Sequence, residues 1–287
     1  MSDGGWILTL ACADRVGIVA GVSGLIARID GFIVDSQQYA DLDTGRFFMR
    51  VVFQPGGARF PADEAALRSA FAELAQAFAL DWALSPRDVR LRVVVAVSKG
   101  SHCLNDLLHR QESGALAVEI AAVVGNHDIL RRLAEWHGVP FHHLPVDAAT
   151  REAQEAAIVD LMDALGAPYL ILARYMQVLS EAMTARLAGR CINIHHSFLP
   201  GFKGARPYHR AHARGVKLIG ATAHFVTADL DEGPIIEQSV ERVDHRATVE
   251  EMIRIGRDIE AQVLARAVNA VGERRVFLND GKTVVFR

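Results

Sequence analysis

Cysteine is scarce in this chain. Of its 287 residues only three are cysteines, Cys12, Cys103 and Cys191, and they lie far apart. A disulfide framework or a cysteine-ligated zinc site needs more cysteines at closer spacing, and an odd count argues against structural pairing. We therefore expect neither, and the scarcity fits a reducing cytoplasm.

Long apolar runs and an excess of one charge are also missing. No run of about eighteen apolar residues occurs, and residues 1–5 lack the basic segment and apolar core of a signal peptide. The formal net charge is −3, so nothing favours nucleic acid or an anionic membrane as a partner. The composition predicts an ordinary globular protein of the cytoplasm, neither exported nor inserted in a membrane.

Histidine, the most common metal ligand among the side chains, occurs twelve times. The pairs His142-His143 and His195-His196 lie on strand-like stretches, so the two rings of each pair point to opposite faces. Neither a His-Glu-x-x-His pattern nor paired Cys-x-x-Cys motifs occur. We expect no catalytic metal.

Residues 5–85 show the pattern of a small separate domain. Trp6–Cys12 is rich in β-formers, and a helical spacing of apolar residues follows, with Asp14 as the expected N-cap. Phe32–Tyr39 and Phe47–Phe53 flank an Asp-Thr-Gly turn, and a second helix and a short strand complete the series. This order predicts the ferredoxin-like βαββαβ arrangement.

Residues 90–287 show strands that alternate with helices, after an expected linker at Ser85–Asp88. Such alternation predicts a doubly wound, mostly parallel sheet. Arg92–Val97 is a nearly continuous β-branched run, as expected for a strand covered on both faces. Ligands of these sheets collect at the carboxyl ends of the strands, so we expect the site there.

Two polar segments stand out in this second domain. An apolar run ends in Asn193-Ile194-His195, and a later loop carries Asp229 and Asp231. Because side chains alternate along a strand, Asn193 and His195 share one face. An amide beside an imidazole can stabilise negative charge on a carbonyl oxygen, and a carboxylate can hold the imidazole charged or position a water. On this reasoning alone, the two loop aspartates compete for that role.

The motifs around these residues resemble the catalytic core of the folate-dependent formyltransferases, such as glycinamide ribonucleotide formyltransferase. Residues 193–200 read Asn-Ile-His-His-Ser-Phe-Leu-Pro, and residues 224–234 read His-Phe-Val-Thr-Ala-Asp-Leu-Asp-Glu-Gly-Pro. The double His195-His196, together with the segments at 204–209 and 220–224, is more similar still to the formyltetrahydrofolate deformylases, the hydrolytic relatives. This resemblance runs from about Trp6 to Phe286.

The resemblance implies particular site residues. Asn193, His195 and Asp231 would form the catalytic trio, and His224 would support it. The resemblance also implies a substrate-binding loop, Met176, Gln177, Val178 and Leu179, similar to the family's pterin-binding loop. Position alone adds Asn126 and His127, at the carboxyl end of a strand, Arg206, in the loop after the catalytic strand, and Thr227, in the loop that carries Asp231.

The resemblance also implies a reaction, the hydrolysis of 10-formyltetrahydrofolate to tetrahydrofolate and formate in one-carbon and purine metabolism. The folate is then the substrate, and no cofactor is expected. One alternative is a formyltransferase with a small-molecule acceptor, and another is a folate- or amino-acid-sensing protein without turnover. The loop Lys99–Cys103 keeps only Gly100 and Ser101 of the small residues that bind the acceptor's phosphate in the transferases, which favours water.

The segment Asp14–Val19 resembles the start of an ACT domain, a module that commonly binds amino acids where two copies pair. The resemblance implies a regulatory or oligomerising role for residues 5–85. We expect a homo-oligomer, a dimer or a tetramer, with an amino acid as the candidate effector. Exposed edges of small ferredoxin-like sheets favour such pairing.

Overall fold

The computed structural model describes residues 4–201 and 207–287, and the chain divides into two compact units. The first unit comprises residues up to 90 together with 274–279 and 284–287. The second comprises residues 91–273 and 280–283.

The first unit has the predicted βαββαβ order. Its elements are β1 (Trp6–Ala13), α1 (Ile18–Arg28), β2 (Gly31–Asp41), β3 (Arg46–Pro55), α2 (Glu64–Phe78) and β4 (Asp81–Pro86). The strands form one sheet in the order β2-β3-β1-β4, and each neighbouring pair is antiparallel. Leu10, Ile26, Phe53 and Phe71 are fully buried between the sheet and the two helices. This arrangement confirms the predicted ferredoxin-like class.

Helix α1 begins later than expected. Its N-cap is Gly17, with φ +99°, so the prediction that Asp14 caps the helix is wrong. The backbone of Asp14 instead donates a hydrogen bond to the carbonyl oxygen of Gly45. The chain needs a left-handed residue to turn from β1 into α1, and glycine adopts that conformation without steric cost.

The second unit alternates strands and helices as predicted. Its elements are β5 (Leu91–Val97), α3 (His102–Glu112), β6 (Val118–Gly125), a 3₁₀ turn (Asp128–Leu130), α4 (Arg131–Trp136), β7 (Phe141–His143), α5 (Arg151–Ala164), β8 (Tyr169–Leu172), α6 (Glu181–Arg186), β9 (Cys191–His195), α7 (Pro207–Arg214), β10 (Leu218–Phe225), β11 (Ile235–Arg242) and α8 (Val249–Gly272). The sheet order is β11-β10-β9-β8-β5-β6-β7. All pairs from β9 to β7 are parallel, whereas β10 and β11 each run antiparallel to their inner neighbour. The doubly wound, mostly parallel class is confirmed.

The strand order creates a crevice beside β5. The chain builds β6 and β7 on one side of β5, and then β8 and β9 on the other. Residues 93–97 of β5 are at most 1% exposed, because helices cover both faces of the sheet. The carboxyl ends of β5 and β8 lie where the order reverses, which is where ligands bind in open α/β sheets.

The carboxyl-terminal hairpin consists of β12 (Val276–Asn279) and β13 (Lys282–Val285). The sequence predicts that this hairpin belongs to the second domain, residues 90–287. The structure groups most of its residues with the first unit, because Phe277 and Phe286 pack against Phe48 and the Asn279 amide donates to Asp41. The expected linker also differs, since β4 extends to Pro86 and the units divide between residues 90 and 91.

A transmembrane segment was not expected. Within residues 4–201 and 207–287, none of the helices combines the length and apolar character that crossing a bilayer demands.

Candidate active site

A cavity of about 1090 Å³ opens in the second unit at the carboxyl ends of β5, β8 and β9. This volume is at the upper end of small-molecule sites, which are on the order of 300–1000 Å³. Its wall includes Ser98–His102, Asn126, His127, Arg174–Leu179, Asn193–His196, Tyr208, His224, Thr227, Asp231, Arg257 and Glu260.

The antiparallel pairing of β9 and β10 brings the first polar groups together. Asn193 lies directly opposite His224 in the register, and the Asn193 amide nitrogen lies 3.3 Å from His224 Nε2. His224 Nδ1 lies 2.8 Å from the carbonyl oxygen of Phe225. A carbonyl oxygen only accepts, so the Nδ1–H donates to it, and Nε2 is left to accept from Asn193. His224 thereby orients the Asn193 amide. This bond uses only one of the two N–H groups of Asn193.

The loop between β10 and β11 delivers the carboxylate. Asp231 adopts φ +59°, a left-handed conformation that is uncommon outside glycine. Two residues later the chain returns so closely that a Cβ on Gly233 would lie 1.7 Å from the carbonyl oxygen of Phe225. Only glycine permits this approach, so Gly233 lets the loop close against the end of β10.

His195 and Asp231 form a direct pair. His195 Nδ1 lies 3.1 Å from Asp231 Oδ1, and both side chains are less than 10% exposed. The other ring nitrogen, Nε2, is buried and has no hydrogen-bond partner among the described residues, although the ring lines the cavity. Buried polar atoms are normally paired, so an unpaired nitrogen in a cavity wall indicates a place for a ligand's polar atom.

The surroundings set the charges of these groups. Burial raises the pKa of Asp231, but the hydrogen bond from His195 and the nearby imidazoles outweigh it and hold that pKa below the ordinary value of 3.8. Burial lowers the pKa of His224 below its ordinary 6.5. At neutral pH Asp231 is therefore a carboxylate and His224 is a neutral ring.

Comparisons with known proteins agree with this geometry. The sequence profile of the family described as "Formyl transferase" matches residues 91–268. A formyltetrahydrofolate deformylase of Corynebacterium sp. (strain P-1) is 48% identical over 281 residues, which cover 98% of each chain. The Bacillus subtilis (strain 168) formyltetrahydrofolate deformylase is 45% identical over 97% of this chain and 93% of its own.

The chain belongs to the formyltetrahydrofolate deformylase family.

Solved structures place the whole fold in this family. The crystal structure of formyltetrahydrofolate deformylase from Burkholderia mallei ATCC 23344 has a TM-score of 0.94 and 52% identity, over 99% of this chain and 100% of that one. Glycinamide ribonucleotide transformylase 1 from Symbiobacterium toebii covers only 69% of this chain, with a TM-score of 0.64 and 30% identity. The deformylase thus matches nearly the full length, whereas the transformylase matches about two thirds of it.

The structure brings the expected catalytic trio together on one wall of the cavity. Asp229, the competing carboxylate, is exposed, and its backbone oxygen accepts a hydrogen bond from Thr227. All but one of the expected substrate-binding residues line the same cavity, namely Met176, Gln177, Val178, Leu179, Asn126, His127 and Thr227. Arg206 lies outside the described residues.

A second polar cluster in the cavity wall was not predicted. Glu260 of α8 has a side chain that is only 2% exposed; it accepts hydrogen bonds from His102 and Tyr208 and forms an ion pair with Arg174. Arg174 in turn donates to His196. One sequence signal could have revealed this cluster, because a glutamate among the buried apolar positions of a helix requires partners.

His102, Cys103 and Glu260 offer atoms within 4.8 Å of one another and could hold a metal ion by spacing alone. The carboxylate already pairs with a guanidinium and accepts from a tyrosine hydroxyl, and burial raises the pKa of the Cys103 thiol well above its ordinary value. A protonated thiol is a poor metal ligand and a poor nucleophile. His102 and Glu260 therefore fit a hydrogen-bonded network better than a metal site, and Cys103 adds a poor third ligand.

Proposed function

We propose that the chain hydrolyses 10-formyltetrahydrofolate to tetrahydrofolate and formate. The observation that carries this proposal is the His195–Asp231 pair, with a buried and unpaired His195 Nε2 in the wall of a folate-sized cavity. The reaction is the one named for the relatives that match nearly the whole chain.

The cavity side chains fit the steps of this hydrolysis. As water attacks the formyl carbon, the free N–H of Asn193 and a proton on His195 Nε2 stabilise the developing oxyanion. Asp231 uses Oδ1 to hold the His195 ring, and its Oδ2, which has no hydrogen bond to another described residue, can orient the water and take the proton that the water loses as its oxygen bonds to the formyl carbon. The C–N bond then breaks, and the departing nitrogen takes a proton from His195 or through a water. Folate and water are the only reactants, so the proposal needs no cofactor.

The loop after β8 suits the flat ring of a folate. The backbone N–H of Met176 donates to Ser98 Oγ at 2.9 Å, which ties the loop to the end of β5. Met176 and Val178 expose most of their side chains, although both are apolar and line the cavity. Exposed apolar side chains beside available backbone groups provide a binding surface for a heteroaromatic ring.

A direct assay tests the proposed reaction. Purified protein is incubated with 10-formyltetrahydrofolate and no acceptor, and formate and tetrahydrofolate are measured together. We expect equal amounts of both products. Release only after addition of an amine acceptor would instead indicate a formyltransferase, and binding without any release would indicate a sensor.

A substitution tests the role of Asp231. Asp231→Asn should keep folate binding but lower turnover by at least about 10²-fold, because the amide cannot stabilise a charged His195. The matched control is Asp229→Asn, an exposed carboxylate of the same loop, which should keep most of the turnover. Full activity in Asp231→Asn would contradict the assignment.

Three finer expectations belong to the same proposal. The ACT-like first unit would bind an amino-acid effector, the protein would form a homo-oligomer of two or four copies, and it would work in the cytoplasm without nucleic acid or membrane as a partner. The βαββαβ order of the first unit and the near-neutral net charge support these expectations. Sedimentation of the purified protein with and without added amino acids tests the first two.

A further inference from the structure

A second imidazole contacts the catalytic one. The rings of His195 and His196 have centroids 4.9 Å apart and are tilted by 32°. The prediction that these two rings point to opposite faces is therefore wrong, because β9 ends at His195 and the alternation of a strand does not extend to His196. Two charged imidazoles at this distance repel. The proton that charges the second ring therefore binds much more weakly than the proton that charges the first. The proposed reaction needs the first proton on His195, because that ring faces Asp231 and has its free nitrogen in the cavity wall.

Arg174 determines the state of His196. Its Nη1 lies 2.7 Å from His196 Nδ1, and a guanidinium can only donate. The His196 Nδ1 must therefore accept, which leaves the ring neutral with its proton on Nε2. Burial, followed by the charges of Arg174 and His195, lowers the pKa of His196 to about 4.

Glu260 fixes the guanidinium from behind. Its Oε2 lies 3.2 Å from Arg174 Nε and 2.8 Å from His102 Nε2, and its Oε1 accepts from the Tyr208 hydroxyl at 3.0 Å. The pKa of Glu260 is raised by burial, but the hydrogen bond from His102 and the charge of Arg174 outweigh that effect and bring it below 4.5. Glu260 is therefore ionised and holds Arg174 against His196.

Opposite charges thus stand at the two ends of the histidine pair, Asp231 at His195 and Arg174 at His196. The charged and titratable groups that surround the pair come from separate elements, namely Asp231 of the β10–β11 loop, His224 of β10, Arg174 after β8, Tyr208 of α7, His102 of α3 and Glu260 of α8. Of these, only the arginine contacts His196 by a hydrogen bond among the described residues.

We propose that Arg174 is a positioning residue that confines the proton of the His195–His196 pair to His195, with Glu260 holding Arg174 in place; this inference rests on the proposed hydrolysis. Without the guanidinium, His196 competes for the proton, and part of the enzyme carries it on the ring that does not contact Asp231.

Nitrogen-15 NMR of the imidazoles tests the proposal, because it reports which ring carries the proton and does not depend on turnover. In Arg174→Gln the titration midpoint of His196 should rise from about 4 by about two pH units, toward the ordinary 6.5, because only then does this ring compete for the proton near neutral pH. In Arg174→Lys, which keeps a cation at the same place, the midpoint should rise by less. An unchanged midpoint in Arg174→Gln would overturn the proposal.

Turnover provides the second readout. Arg174→Gln should lower kcat about twofold near neutral pH, the loss expected if the two rings then share the proton equally, and Arg174→Gln/His196→Asn should recover most of that loss, because no second imidazole remains to take the proton. A merely structural role for Arg174 predicts no recovery, and that result would refute the inference. If Arg174→Gln fails to fold because Glu260 loses its partner, Arg174→Gln/Glu260→Gln removes both charges together and carries the same expectation for His196.

The formate-release assay and the NMR titration separate this inference from the proposed function. A wild-type protein that releases no formate would refute the hydrolysis, whereas the NMR titration would still show whether Arg174 keeps the proton off His196.

Discussion

Two residues of the site hold the backbone in a conformation that favours glycine. Arg174 has φ +63° and Asp231 has φ +59°, and each brings a charge to one end of the His195–His196 pair. Such conformations cost about 1–3 kcal/mol each, and they persist only where the surroundings enforce them. The two strained positions are thus the two that set the charge of the histidine pair.

The buried Glu260 permits a prediction of how much one side chain contributes to the free energy of unfolding, and of how that contribution changes with pH. Removing one partner of a buried ion pair costs about 3–5 kcal/mol, because a charge is left buried without compensation. We therefore expect Glu260→Gln to lower the free energy of unfolding by about 3 kcal/mol at pH 7, measured by urea unfolding.

The sign of the pH effect follows from the pKa of Glu260, which lies below its ordinary value of 4.5 in the folded protein. A lowered pKa means that the ionised group stabilises the fold above the unfolded pKa, and that this contribution is lost as the pH falls through the folded pKa. The gap between wild type and Glu260→Gln should therefore narrow below about pH 4.5. A gap that stays constant with pH would contradict the assignment. Asp258→Asn, on the exposed face of the same helix, should change stability by less than about 0.5 kcal/mol at any pH.

The sequence predicted some of these residues and missed others for identifiable reasons. Asn193 and His195 could be predicted because they lie two apart on one strand, and the family motif selected Asp231. Arg174 and Glu260 are 86 positions apart in the printed sequence and meet only through tertiary packing. The buried position of Glu260 could indicate that it needs partners, but no local pattern identifies Arg174 as one of them.

At the scale of elements, the direction of β10 is what completes the site. Because β10 is antiparallel to β9, His224 pairs with Asn193, and β10 ends beside the amino end of β9, where the N–H of Val226 donates to the carbonyl oxygen of Cys191. The loop that follows has to return along β9 before Asp231 reaches His195 at the carboxyl end. The alternation of strands and helices predicted a parallel sheet but could not reveal this reversal.

Helix α8 has a glycine where the site needs space. A Cβ on Gly256 would lie 1.9 Å from the hydroxyl oxygen of Tyr208, which donates to Glu260. Gly256→Ala should gain about 1 kcal/mol of helix propensity but lose more through this clash, so we expect a net destabilisation of about 1–2 kcal/mol and a lower kcat. Thermal unfolding and the acceptor-free assay measure the two effects.

Gly24 of α1 is the matched control for Gly256. A Cβ there would meet only the Arg28 guanidinium, at 3.6 Å, which is an ordinary contact. Gly24→Ala should therefore stabilise the protein by about 0.5–1 kcal/mol and leave turnover unchanged. If Gly256→Ala instead stabilised the protein as much as Gly24→Ala, Tyr208 would have moved aside without cost.

At the scale of the whole molecule, neither end of the described chain belongs to the second unit, because the first unit contains residues from both ends of the sequence. The chain builds the first unit, passes through the second, and returns to the first with residues 274–279 and 284–287. The sequence predicted the terminal hairpin itself, because a turn motif separates two β-rich runs. It did not predict where the hairpin packs, since that depends on an apolar surface more than 200 residues away, at Ala11 and Phe48.

Because the terminal hairpin packs on the first unit, a substitution near the carboxyl end of the sequence should weaken the amino-terminal sheet. Phe286 is 8% exposed and lies in one cluster with Ala11 and Phe48, so Phe286→Ala should cost about 3 kcal/mol through the cavity it leaves. Hydrogen exchange should show the loss of protection in β1 and β3 and leave the strands of the second unit protected. Leu278→Ala, at a 41% exposed position of the same hairpin, should have little effect on either unit. Faster exchange confined to the second unit in Phe286→Ala would show that the hairpin stabilises the catalytic sheet instead.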